Sequence, residues 1–492
     1  MGMVLNTNIG SIQAQRALTE SRAEMEKAME RLSTGLRINS AADDAAGLAI
    51  VERMNTQIRG LTMATKNAND GIALIKTVEN ALVEVSGMLQ RMRELSVQAS
   101  NDTNTATERA FANNEVSQLQ LEISRVSLNT RYNGAQVLNG SFAAKTLQVG
   151  TEAGETIAFS IDTVESATLG AFVLTSLNQA ALTNTGGAAP VSGQAHAQDV
   201  TITAGSESRT IEISANDSVR AIAKRINAVA GATGVTAEAR TFARLSSVDT
   251  TGAATAKIKI NGTETAAFAL SSSDVSDAVT KINAISATTG VQASATDDYK
   301  VLLTDKWGDT IKIQNTSTRT DVKVESLANN GTTPHGTAIT MATADTNSSS
   351  ATVTGTMRLT SATEFSLDSS AASADEWFTE ANTPAALSSV GTVDISTRIK
   401  ASDAIAIIDG AIQKISGMRG GLGTLQNRLD YTVSNLMKVT EYTTGARSRI
   451  QDADFAAETA RLAKAQVLQQ AGAAMLSQAN ASTDVILQII RG

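Results

Sequence analysis

Apolar and small residues recur at steps of three and four from Leu61 through Ala64, Ala68, Gly71, Ile75, Val78, Leu82, Val85, Leu89 and Met92. That spacing holds one stripe on one face of a helix and predicts a long coiled-coil seam. Val116, Leu119, Ile123 and Val126 repeat it after a polar break at Ser100 to Thr107, which reads as the turn between two antiparallel helices. Near the other end Ile408, Ile412, Ile415, Leu422, Leu425, Leu429, Val433 and Leu436 supply a third helix, with a shift near Arg419. Its partners lie far away in sequence, so both arms must meet in one domain. Outside this bundle, two narrower stripes carry Ile9, Ile12, Leu18, Met25, Met29 and Leu32 at one end and Leu462, Ala465, Leu468, Ala471, Met475 and Ala479 at the other. Ordering a residue costs about 1 to 2 kcal/mol, and so thin a pair gains little alone. The ends are expected to be disordered in an isolated chain and to fold against copies of it.

Beyond Asn139-Gly140 the period changes from helical to alternating, with Leu147 and Val149 answered by Ile157, Phe159 and Ile161 around Gly150 to Gly154. This predicts a hairpin. The central region is rich in Ser, Thr, Ala and Gly and repeats itself: residues 200–239 recur as 257–295. Each copy reads as two short strands, a helix and a strand, with Ile222, Ile226 and Val229 on one helical face and Val275, Val279, Ile282 and Ile285 on the other. The strands continue through Val301 to Leu303 and Ile311 to Ile313.

The expected fold is therefore multidomain α+β, with long helical coiled-coil arms from both termini and a strand-rich insert. The expected divisions are 1–43 with 456–492 as a terminal coiled-coil core, 44–175 with 395–455 as a helical bundle with a β-hairpin, and 176–394 as an exposed insert. All three prolines, Pro190, Pro334 and Pro384, lie inside that insert, which leaves both arms free to be helical. Asn39 to Gly47 interrupts the first arm, and Asp43 and Asp44 read as helix caps rather than a cation site.

Composition narrows the chemistry. Cysteine is absent and the histidines are His196 and His335, so nucleophiles, bases and soft metal ligands are scarce. A net charge of −8 opposes binding to phosphate backbones. No apolar run approaches the roughly 18 residues that span a bilayer, and no basic segment followed by an apolar one opens the chain as a secretory signal would. Asn6 sits where a myristoylation motif needs Ser or Thr. Gly417 to Gly423 is rich in glycine, but no Lys-Ser/Thr pair follows, so close approach of helices is the expected use. No His-Glu-x-x-His motif is present, which removes a zinc protease reading. Asn261-Gly262-Thr263 and Asn330-Gly331-Thr332 fit the glycan acceptor triplet. No catalytic, cofactor or metal residue is assigned, and no enzyme activity is expected.

The arms resemble bacterial flagellins, subunits of the flagellar filament. The resemblance rests on Leu5 to Asn8, Arg31 to Ser40, Asp43 to Ile50, Gln90 to Leu95, Arg447 to Asp454 and Lys464 to Gly472. It covers about 1–175 and 395–492, and the repeat resembles the insertion motif of flagellins and hook-associated proteins through Ile226-Asn227 and Ile282-Asn283. It implies terminal helices lining a filament core, a bundle shell and a solvent-facing insert. Core packing then falls to Ile9, Ile12, Leu18, Met25, Met29, Leu32, Leu462, Leu468 and Met475, and the bundle seam to Ile75, Val78, Leu82, Val85, Leu89, Met92, Leu422, Leu425 and Leu429. The implied partners are identical subunits, an export chaperone gripping the C-terminal helix, the filament cap and hook-associated proteins. Export would run through the flagellar secretion channel to an extracellular flagellum. Arg91, Leu95 and Glu115 match positions used for filament contact and for the flagellin-sensing Toll-like receptor. Two alternatives stand beside the filament subunit: a hook-filament junction protein, and a filament that carries an adhesive or carbohydrate-binding insert.

Overall fold

The structure is a computed structural model of the chain. It describes residues 7–177, 180–183, 198–214, 217–247, 255–342, 350–370, 377–378 and 382–491, the side chains of 183, 198 and 482–491 excepted. Leu5, Asn6, Pro190, His196 and the apolar side chains of 485–490 lie outside this description. In chain order the main helices are α1 (Ile9–Thr34), α2 (Ala45–Ala99), α3 (Ala106–Asn129), α4 (Val219–Ala228), α5 (Ser276–Asn283), α6 (Arg398–Gln451) and α7 (Phe455–Arg491). The chain forms two compact units, one of residues 1–75, 144–159 and 423–492, the other of 76–143 and 160–422.

In the first unit α1 packs along α7. The half-buried and buried positions of α1 include Ser11, Ala14, Leu18, Ser21, Met25, Ala28 and Leu32, and those of α7 include Leu462, Ala465, Gly472, Leu476 and Ala479. Both rows step by three and four, so the pair is a short coiled coil whose seam is mostly small residues. An added Cβ on Gly472 would sit 3.4 Å from Leu18 Cδ1, which shows how closely the backbones approach. The hairpin Lys145–Gln148 with Thr156–Phe159 lies against α2: a Cβ on Gly71 would lie 2.5 Å from Leu147 Cδ1 and 3.3 Å from Leu429 Cδ1. Ile75 and Leu429 are buried here and Leu425 half-buried.

In the second unit Val78, Leu82, Val85, Leu89 and Met92 are fully buried, and Leu422 nearly so. The polar break closes on a capping box, Thr105 with Glu108, that starts α3. The ion pairs Arg93–Asp409 (2.6 Å) and Arg419–Glu79 (2.8 Å) tie α2 to α6. The insert is built on the long strand Thr236–Ser247, which pairs antiparallel with Val301–Asp305, Val322–Leu327 and Thr356–Ser361. Two cores form, one under α4 with Ile222 and Ile226 and one under α5 with Ala278 and Ile282. Val229 joins the first, and Val279 and Ile285 the second, as half-buried neighbours. Arg240 and Arg358, both buried, converge on Asp403 of α6 at 2.7 and 2.9 Å.

The repeat has a structural cause that its sequence does not announce. Asn227 Nδ2 donates to Ala237 O and its Oδ1 accepts from Ala237 N, both at 2.8 Å. Asn283 makes the same two bonds, at the same length, to Ala293. The Ile plants the helix in its core and the adjoining Asn imitates a strand partner for the chain that follows. One expectation fails: a Cβ on Gly417, Gly420, Gly421 or Gly423 would meet nothing within 4 Å. These glycines therefore do not serve close helix approach within the chain.

Candidate assembly site

The motif residues of the two arms meet at one end of the α1–α7 pair. Gly35 ends α1 in the left-handed region at φ 71°, its N–H donating to Arg31 O. A side chain there would be strained, and the sharp turn lets the next residues run beside the α6–α7 junction. Ala453 N donates to Gly35 O (2.9 Å), Arg37 N to Gln451 O (2.6 Å), and the Arg37 guanidinium to Ile450 O (2.7 Å). Leu36 and Asp452 form an isolated antiparallel bridge. A strand-like clasp thus joins Thr34 to Arg37 with Ile450 to Ala453.

Charges lock the clasp. Glu458 is buried at the start of α7, where its carboxylate takes Arg31 at 3.1 Å and Arg461 at 2.9 Å. A carboxylate in the first turn also suits the positive end of the helix. Asp44 Oδ1 accepts from Gly47 N (2.8 Å) and caps α2, and Asp454 Oδ1 accepts from the amides of Ala456 and Ala457 to cap α7. Asp43 Oδ2 accepts from Ser40 N and Asn39 N, and the Ser40 amide foremost holds this carboxyl below its ordinary range. Lys27 adds a contact at 3.5 Å. Farther along, Asn8 caps α1 through Ser11 N and donates from Nδ2 to Ala479 O at 3.0 Å.

The remaining apolar residues of the pair face outward. Leu18, Met25, Leu32 and Leu462 contribute to the seam, whereas Ile9 (59% exposed), Ile12 (59%), Met29 (55%), Leu468 (42%) and Met475 (65%) do not. Large side chains draw the eye in the sequence, but many of the seam positions are Ser, Ala and Gly. Val467 and Phe455 join the exposed set. The site therefore has a partly buried inner seam and exposed outer surfaces, and the outer surfaces are where added contact would remove apolar surface from water.

In the other unit, Arg91 Nε and Nη2 bind the two Glu115 oxygens at 2.7 and 3.3 Å, and Nη1 binds Glu94 at 3.1 Å. Hydrogen bonding to Glu115 is the chief reason its guanidinium is held more firmly protonated. Leu95 is 3% exposed. Leu95 is thus buried in the chain, while the Arg91 and Glu115 side chains remain at its surface. No group of carboxylates and imidazoles able to hold a metal occurs among the described residues.

A clasped helical arm with large apolar side chains left exposed is the build of a structural subunit that packs against other chains. Sequence comparison specifies which. A profile of the bacterial flagellin N-terminal helical region matches residues 5–143, one of the C-terminal helical region matches 405–490, and one of the flagellin hook IN motif matches 199–251. The chain is 38% identical to the B-type flagellin of Pseudomonas aeruginosa and 33% identical to the flagellin of Salmonella typhimurium, over all of each chain. Flagellin B of Vibrio cholerae is 31% identical, again end to end. The chain belongs to the bacterial flagellin family, whose members are structural subunits of the extracellular flagellar filament used in motility. The IN profile stops before the second repeat, yet the matched Asn283 and Asn227 bonds give 257–295 the same architecture.

Proposed function

We propose that the clasped α1–α7 pair is the element through which copies of this chain join, and that growth proceeds by burying its outer face. The supporting observation is the set of apolar side chains Ile9, Ile12, Met29, Val467 and Met475, each between 55 and 65% exposed. Fully burying one such side chain is worth about 1.5 to 3 kcal/mol. A lone pair forfeits that energy, while neighbours supply it repeatedly along a helical lattice. The ends are therefore ordered by assembly, and the bundle seam of Ile75 to Met92 with Leu422 to Leu429 transmits torque.

The same reading places an export chaperone on the C-terminal helix before assembly, passage through the flagellar secretion channel, and docking to the filament cap and hook-associated proteins. Arg91 and Glu115 are the surface pair offered to neighbouring subunits and to the flagellin-sensing Toll-like receptor. The test is electron microscopy of purified chain added to short filament seeds. Wild type should extend them into long filaments, and Met475→Glu should leave them short. Extension by Met475→Glu at the wild-type rate would reject the outer face as the joint, and capped, unextended seeds with wild type would point to a junction protein.

A further inference from the structure

In the second unit the insert is tethered to the helices by two short stretches of chain, one leading into the strand Gly170–Thr175 and the other leading from the strand Ala386–Ser389 into α6. A body on two tethers swings unless its interface forbids it. Here α6 turns a face of small residues inward. Ala401, Ala404 and Ala411 are buried, and a Cβ on Gly410 would lie 2.7 Å from Ala171 Cβ and 2.9 Å from Gly170 O. Strand backbone therefore lies directly on the helix. Lys414 Nζ donates to Thr168 O at 3.1 Å, and from α3 Gln120 Nε2 donates to Val390 O and Val393 O at 2.9 and 2.8 Å. Both tethers are held where they leave the helices.

The central strands of the insert add a lock of charge. Arg240 and Arg358 stand on adjacent paired strands and are 7 and 6% exposed. Arg240 is shared among Glu238 at 2.8 Å, Asp403 at 2.7 Å and Ser402 Oγ at 3.2 Å. Among the described residues Arg358 is bound by Asp403 alone, through its carboxylate at 2.9 Å and its carbonyl at 3.3 Å. Like charges on neighbouring strands repel, and a buried charge stripped of its partner is strongly unfavourable. The carboxylate between the two cations comes from the helix and not from the sheet, so drawing the sheet off α6 would bare both at once. We propose that Asp403 is the positioning residue that fixes the insert on α6, so that the insert and the adjoining part of the bundle move as one body. The lock lies within a single chain and stands apart from the way copies join. On the filament reading it delivers a load on the insert straight into α6.

Because the chain lacks cysteine, spin labels can be placed without background. Phe111 of α3 and Lys224 of α4 are both exposed, so Phe111→Cys and Lys224→Cys in one full-length chain put one label on the bundle and one on the insert. Dipolar electron paramagnetic resonance of the monomer should show a single narrow distance peak. Adding Asp403→Asn should replace that peak with a broad distribution, while the amides of Ala237 and Ala293 stay protected from hydrogen exchange because the insert keeps its own cores. A broad distribution with Asp403 in place overturns the lock, and so does a peak that stays narrow in Asp403→Asn. Should Asp403→Asn unfold the insert, Arg240→Met with Arg358→Met removes both cations and keeps the volume filled. That chain should also lose the narrow peak with its insert folded, and an unchanged peak would reject Asp403 as the residue that holds the insert in place.

Discussion

The insert and the terminal pair use the same kinds of amphipathic element and reach opposite ends. Under α4 and α5 the large side chains Ile222, Ile226, Phe268 and Ile282 are essentially sealed from water. In α1 the buried residue is Ala28, and among the described side chains of α7 the sealed ones are Ala465 and Glu458. The insert spends its apolar surface on itself, while the terminal pair spends small residues on itself and leaves the large ones outside. On the reading proposed above, that difference separates a part with its own core from a part completed by its neighbours.

Substitutions should divide along the same line. The largest effect is expected from Met475→Glu or Met29→Glu, which should stop elongation on seeds yet change monomer unfolding by no more than about 0.5 kcal/mol. Calorimetry of the monomer beside microscopy of the seeds reads both. Next, Ile222→Ala or Ile282→Ala should cost the insert about 2 to 5 kcal/mol through the cavity each leaves. The variants should still form filaments, and an early melting step assigned to the insert is the signature.

Asn227→Ala and Asn283→Ala should each cost about 1 to 3 kcal/mol, because each strands a backbone N–H and C=O. Equal costs would sustain the equivalence of the repeats, and a cost at Asn227 alone would break it. The smallest effect concerns acid. Arg319 foremost, with Ser247, holds the Asp321 carboxyl down from 3.8 to about 2. A depressed folded value adds stability that is complete above the unfolded value and vanishes as pH falls through the folded one. The stability gap between wild type and Asp321→Asn should therefore be constant above pH 4 and close toward pH 2, as followed by denaturant titration.

Much of this was legible in the residues, because seams of large side chains follow simple periods. Leu82 and Leu89 could be placed from spacing, and so could the hairpin around Leu147 and Ile157. The terminal register could not. There Leu18, Met25 and Leu32 share the seam with Ser11, Ala14, Ser21, Ala28 and Gly472, small residues that hydrophobic patterns undervalue, while Ile12 and Met29 stay exposed in the single chain. The clasp was visible only as two motifs far apart in sequence, since backbone pairing between Arg37 and Gln451 leaves no side-chain pattern. Leu95 comes from the family resemblance, which carries no information on burial in the single chain, where the side chain is 3% exposed.

Hydrogen exchange of α1 and α7 in monomer and in filament tests the central claim most directly. The account predicts rapid exchange across both helices in the monomer, with strong protection once the outer face is buried in filaments, while the insert amides at Ala237 and Ala293 are protected in both. Equal protection of α1 and α7 in monomer and filament would contradict it.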